Sequence, residues 1–257
     1  MSEKLPTVSG TSSSSGASGS ADGSGPPNGG PPPVMPETAP TWRLLATLAV
    51  AGALAGLLLV LVFQATDPAI QAHRARVLAE AIDEVLGGPD HYETLFVVGD
   101  ELSASPASVD TAGLERVYLG FDAEGRSLGY AIVGGEPGFQ DVIRLIFGYE
   151  PTTGHVLGMK VLESKETPGL GDKIEKDSVF VGRFLGVMAP LLGVKRGAGR
   201  GVDGEVEMVT GATISSRTVI DIINHRLADL EGPLRAFDAA RAVEQTASTP
   251  PPPGGRR

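Results

Sequence analysis

Two short stretches of the sequence hold residue types able to bind a ligand or be bonded to one. The first is Thr210-Gly211-Ala212-Thr213-Ile214-Ser215-Ser216. Gly211 and Ala212 remove side-chain bulk from beside Thr213, so its hydroxyl is accessible to another molecule. Ser215 and Ser216 offer hydroxyls of the kind that cap helices. A phosphate held here would face a helix start, with unpaired N–H donors and the positive end of the helix dipole. Simple helix capping accounts for the same pattern at least as well. The second stretch is Glu166-Thr167-Pro168-Gly169-Leu170-Gly171-Asp172-Lys173. Pro168 fixes one φ, while Gly169 and Gly171 admit backbone conformations closed to other residues. Such a loop can present backbone N–H groups and the Thr167 hydroxyl to a flat polar ligand. A plain turn between a strand and a helix explains it too.

Other candidates carry less. Gly199-Arg200-Gly201-Val202-Asp203-Gly204 matches G-x-G-x-x-G, but a strand-like segment, Glu205–Val209, follows it. A dinucleotide fingerprint requires a strand before the glycines and a helix opening within them, so a loop is expected. His73, His91, His155 and His225 are scattered, with no neighbour at metal-ligand spacing. Glu163 and Glu166 are close in sequence, yet nothing marks them as an acid/base pair. The chain has no cysteine, which excludes disulfides, Cys-ligated zinc, iron–sulfur clusters and thiol nucleophiles within it. Redox chemistry would have to come from an organic cofactor or from partners. A formal net charge of -10 argues against nucleic acid as a partner.

The elements that must position these stretches are legible in outline. Residues 1–41 are rich in Gly, Ser and Pro, with only Glu3, Lys4, Asp22 and Glu37 charged, and read as a disordered tail. The Pro-rich segment 241–257 reads the same way. Leu44 to Phe63 contains no charged residue; at about 1.5 Å per residue it spans roughly 30 Å, a bilayer core. Trp42 and Arg43 stand where an interfacial anchor would. A transmembrane helix over 42–64 is expected, in preference to a buried core helix or a cleaved signal peptide. Arg74 and Arg76 follow the span, so the positive residues do not fix its orientation.

Asp67-Pro68 predicts a separate helix start, and Gly87-Gly88-Pro89 its end. Arg116–Phe121 and Leu128–Val133 predict a hairpin across Asp122–Gly125. Ile143, Leu145, Phe147 and Tyr149 fall on one face of a strand, Val142–Tyr149, and Val156–Leu162 follows it. A last helix is expected from about Ser216 to Leu230. Strands joined by short turns, with helices at the ends, suggest an α+β fold: an antiparallel sheet with flanking helices over 65–240, preceded by the single transmembrane helix.

The two stretches, Glu166–Lys173 ahead of Thr210–Ser216 and both behind one span, resemble the G subunit of the Rnf electron-transport complex. That protein belongs to a family of FMN-binding domains shared with the C subunit of the sodium-pumping NADH:quinone reductase. The likeness covers roughly Trp42 to Leu230 and includes Asp141–Leu145, Gly158–Glu163, Glu166–Lys173 and Thr210–Ser216. It implies that Thr213 carries FMN covalently, as a phosphoester installed by a flavin transferase with FAD as donor. It further implies that Thr210, Gly211, Ala212, Ser215, Glu166, Thr167, Gly169, Leu170 and Lys173 surround the cofactor. The implied protein is an electron-relay subunit of an ion-translocating ferredoxin/NAD oxidoreductase, working with the other membrane subunits rather than alone. Its FMN domain would lie on the periplasmic side of the bacterial inner membrane. Where the family often has Asp, three residues before Thr210, this chain has Glu207. The quinone-reductase protein, a related membrane flavoprotein, and a non-redox membrane-tethered binding module are the alternatives.

Overall fold

The computed structural model describes residues 40–105 and 111–248. The tail 1–39 and the last residues, 249–257, lie outside the described residues. Seven strands pair in the order β2-β1-β3-β4-β5-β6-β7. They are β1 His91–Val98, β2 Glu101–Ser103, β3 Arg116–Phe121, β4 Ser127–Pro137, β5 Val142–Glu150, β6 His155–Glu163 and β7 Val187–Met188. Every pairing within this sheet is antiparallel. A small parallel pair, β8 Leu192–Val194 with β9 Glu205–Glu207, stands apart from it. The helices are α1 Thr41–Leu86, α2 Lys173–Lys176, α3 Ser178–Gly182 and α4 Thr213–Ser248. The expected α+β architecture is therefore present.

Alternation along the strands sorts side chains onto the two sheet faces. Ile143, Leu145, Phe147 and Tyr149 of β5 all face α4, in one core with Val219, Ile222, Ile223, Leu227 and Leu230. Ile146 points the other way, to Ala81, Ile82, Val85 and Leu86 of α1. Fully burying a side chain of this size contributes about 1.5–3 kcal/mol. On the α1 side the helix backbone comes very close to the sheet. A β-carbon on Gly148 would lie 2.3 Å from the Val85 carbonyl oxygen, so only glycine fits there. The β3–β4 hairpin forms as expected, with Asp122 Oδ1 accepting from the Glu124 and Arg126 amides.

Two helix boundaries differ from the sequence expectation. No new helix starts at Asp67-Pro68: α1 runs unbroken from Thr41 to Leu86, with Pro68 inside it. Asp67 does not cap; its Oδ1 accepts from Gln71 Nε2 at 3.5 Å within the helix. An internal proline removes one helix bond and costs about 3 kcal/mol, but extending a helix already formed on both sides is favourable. The apolar run within α1 is exposed along its whole length. The last helix is also longer than expected, passing through Pro233 to Ser248, so residues 241–248, expected in the disordered Pro-rich tail, are helical. Leu234 and Phe237 continue its apolar face into the core, Asp238 bonds the Tyr130 hydroxyl, and Arg241 lies 4.3 Å over the Phe121 ring. Tertiary packing thus overrides the local stop signal at Gly232-Pro233.

Candidate functional site

Three segments reach one end of the sheet. The first is the turn between β4 and β5, closed by the Gly138 amide donating to the Asp141 carbonyl at 2.8 Å. The second is the loop that leaves β6. There the Leu170 and Asp172 amides donate to the Thr167 carbonyl at 3.1 and 3.4 Å, folding Thr167–Asp172 into a tight turn. Gly169 takes a φ of +78° in it, the left-handed region that glycine enters without strain. The third is Thr210–Ser216, which carries the chain from the end of β9 into the first turn of α4.

They converge on Glu166. The residue is only 6% exposed. Oε1 accepts from the Phe139 amide at 2.9 Å and the Gln140 amide at 3.1 Å. Oε2 accepts from the Ser215 hydroxyl at 2.8 Å, across 49 residues of sequence. The two stretches that sequence alone singled out are thus in contact. Leu170 is packed near Gly211, where a β-carbon would lie 3.6 Å from Leu170 Cδ2. Lys173 and Thr210 line one cleft, together with Asp177, Phe180, Arg183 and Glu207.

α4 begins at Thr213 itself. Ser215 and Ser216 are therefore inside the first turn and do not cap it. Ser215 turns inward to Glu166, and Ser216 Oγ accepts from the Val209 amide at 3.1 Å. Thr213 is exposed, beside buried Ala212 and beside Gly211 at a φ of +86°. The amides of a first helical turn have no partner further back in the helix. A secondary alcohol in this position can carry a phosphate facing those amides. Phe139, Leu170 and Ile214, all exposed, are the large apolar side chains of the three segments.

Electrostatics around the loop are local. Lys176 Nζ bonds Asp172 Oδ2 at 2.9 Å; that hydrogen bond holds the Asp172 carboxyl below its usual range and raises the Lys176 ammonium. Glu207 is fully committed, paired with Arg183 and accepting from the Gly197 amide. The G-x-G-x-x-G segment is a loop whose Arg200 and Gly201 amides donate to Glu205 Oε2 at 2.6 and 3.0 Å. Its anion position is filled by the chain's own carboxylate. Sequence reasoning missed the 138–141 turn. Pro137-Gly138 is a turn signal, but nothing in it reveals that the next two amides reach a carboxylate 26 and 27 residues away.

The profile of a family described as an FMN-binding domain matches residues 138–228, an interval that contains all three segments. The G subunit of the ion-translocating oxidoreductase complex of Methanosarcina acetivorans is 30% identical over 193 residues, covering 74% of this chain and 94% of that protein. The chain belongs to this G-subunit family. A second relative, the G subunit of the same kind of complex in Pectobacterium atrosepticum, is 33% identical over 165 residues, covering 62% of this chain and 75% of its own. The crystal structure of Shewanella oneidensis NqrC superposes with a TM-score of 0.56 at 18% identity, covering 64% of this chain and 99% of that one. The chain thus shares the fold of NqrC. The site residues also suit FMN: an exposed hydroxyl at a helix start, first-turn amides that a helix start leaves without a partner further back, and a positive-φ glycine where a side chain would narrow the space beside Leu170.

Proposed function

We propose that this chain is the membrane-anchored electron-relay subunit of an ion-translocating oxidoreductase complex, with FMN joined through its phosphate to Thr213 Oγ1. The observation that carries this reading is the exposure of Thr213 at the first position of α4, set against the 166–173 loop by the Ser215–Glu166 bond. FMN, when bound, supplies one- and two-electron chemistry. The chain's own residues hold it. Thr213 Oγ1 would provide the ester oxygen, the first-turn amides of α4 would serve the phosphate, and Leu170 and Ile214 would offer apolar surface.

Attachment is assigned to a flavin transferase. Thr213 Oγ1 forms a bond to the FMN phosphorus of FAD, the bond to the AMP oxygen breaks, and the hydroxyl proton is released as AMP leaves. The remaining subunits of the complex are the expected partners, and α1 the anchor. We assign the domain to the periplasmic side of the inner membrane, where a covalent bond retains a flavin that could not readily be replaced. The sequence relatives are named as G subunits, which favours this assembly over the quinone reductase.

Thr213→Val keeps β-branching and removes the nucleophile. Coexpressed with the transferase and denatured, the wild-type band should show flavin fluorescence and the variant none, with Thr210→Val affected less. Mass spectrometry should map the flavin to Thr213. A flavin retained by Thr213→Val, or mapped to Ser215 or Ser216, refutes the assignment.

A further inference from the structure

We propose that Glu166 is a positioning residue, whose reach holds the Thr213 turn, the 166–173 loop and the 138–141 turn in the arrangement that accepts flavin. This rests on the attachment proposed above and assigns a role that the sequence resemblance did not. The resemblance puts Glu166 among residues surrounding the cofactor; the structure turns it inward. Both carboxylate oxygens are occupied, by two backbone amides and one hydroxyl. A buried carboxylate is tolerated only when its acceptors are filled, and here the donors come from two segments remote from the loop that bears it.

The geometry around the carboxylate is built for it. A β-carbon on Gly138 would lie 2.4 Å from Oε1, and one on Gly171 would lie 2.6 Å from Oε2. Glycine on both sides is what leaves room for the group. Ser215 follows Thr213 by two positions, about 200° around a helix of 3.6 residues per turn. Drawing Ser215 inward to Glu166 therefore turns Thr213 outward. The bond sets the rotation of the helix start, and with it the direction of the reactive hydroxyl. The requirement is reach across the gap, because the two amides and the hydroxyl can be served by any group of the same length with matching hydrogen-bond capacity.

Three variants of the full-length chain test this. Glu166→Gln keeps the reach: its amide oxygen can accept from Phe139 and Gln140, and its NH2 can donate to Ser215 Oγ. Glu166→Asp keeps the charge but is one methylene short. Ser215→Ala removes only the link to α4. Each is incubated with transferase and FAD; covalent flavin is followed by in-gel fluorescence, the melting temperature is recorded, and visible circular dichroism is taken of the loaded protein. Glu166→Gln should load within about threefold of wild type. Glu166→Asp and Ser215→Ala should load about tenfold slower, the scale of one hydrogen bond lost from a reactive arrangement. Ser215→Ala should melt within a few degrees of wild type, and its flavin band should change shape. Should Glu166→Asp fail to fold, Ser215→Ala and Glu166→Gln decide. Wild-type rates and an unchanged flavin band in Ser215→Ala overturn the role, as does a Glu166→Gln protein as slow as Ser215→Ala. A wild-type chain that takes no flavin overturns the attachment, and this role with it.

Discussion

Gly169 and Gly171 stand two positions apart in one loop and are there for different reasons. A β-carbon on Gly171 would lie 2.6 Å from Glu166 Oε2 and 3.2 Å from Ser215 Oγ. Gly171→Ala must push the carboxylate out of place, and an overpacked site of this kind costs about 1–3 kcal/mol. A lowered melting temperature together with lost flavin loading is the expected result. Gly169 has open space around its β position but a φ of +78°. Gly169→Ala should therefore cost about 1–2 kcal/mol through the backbone and be partly relieved in Gly169→Asn. A Gly169→Ala protein as stable as wild type, or one whose melting temperature Gly169→Asn does not partly restore, would show that the positive φ is not what glycine serves at 169. The sequence marked both glycines as special. It did not separate them, because close packing against Glu166 depends on Ser215, far away in the chain, while a positive φ depends only on the local turn.

At the scale of elements, the sequence is clearest where one periodicity acts alone. The face of β5 was legible because alternation and burial agree along Ile143, Leu145, Phe147 and Tyr149. The ends of α1 and α4 were not, because Pro68 and Gly232-Pro233 are local signals overridden by a helix continuing on both sides and, in α4, by contacts such as Leu234 that no local window contains. Leu234 is fully buried, so Leu234→Ala should destabilise the domain by about 2–5 kcal/mol, measurable by chemical denaturation. A loss below about 1 kcal/mol would mean that the end of α4 is not part of the core. A second link ties α4 to the end of β4. His225 Nδ1 lies 2.7 Å from Glu136 Oε1, and that hydrogen bond raises the imidazole above its ordinary value of 6.5. A raised folded-state value means that the link contributes fully below the unfolded value and is lost as pH rises through the folded one. NMR titration of His225 should give a midpoint above 6.5 that falls in Glu136→Gln. An unchanged midpoint in that variant would remove the pair as the cause.

For the whole molecule the decisive question is where the apolar stretch of α1 goes. Leu44 to Phe63 has no charged side chain and is exposed throughout, and α1 is the described helix long and apolar enough to cross a membrane. Water around that much aliphatic surface is unfavourable, whereas each Leu, Ile, Phe or Val at a helix centre favours the bilayer by about 0.3–0.6 kcal/mol. The intact chain should stay with membranes through alkaline carbonate washing. An arginine near the middle of the run reverses the balance at about 2.5–3.5 kcal/mol each, so Leu54→Arg combined with Leu58→Arg should shift the chain toward the wash. Recovery of the intact wild-type chain in the soluble fraction would end the anchor reading. Orientation needs its own measurement, because Arg43 precedes the run while Arg74 and Arg76 follow it. Protease added to intact spheroplasts should digest the domain if it lies on the periplasmic side, with a cytoplasmic control protein surviving. A domain that survives until the membrane is broken would place the Thr213 site in the cytoplasm instead.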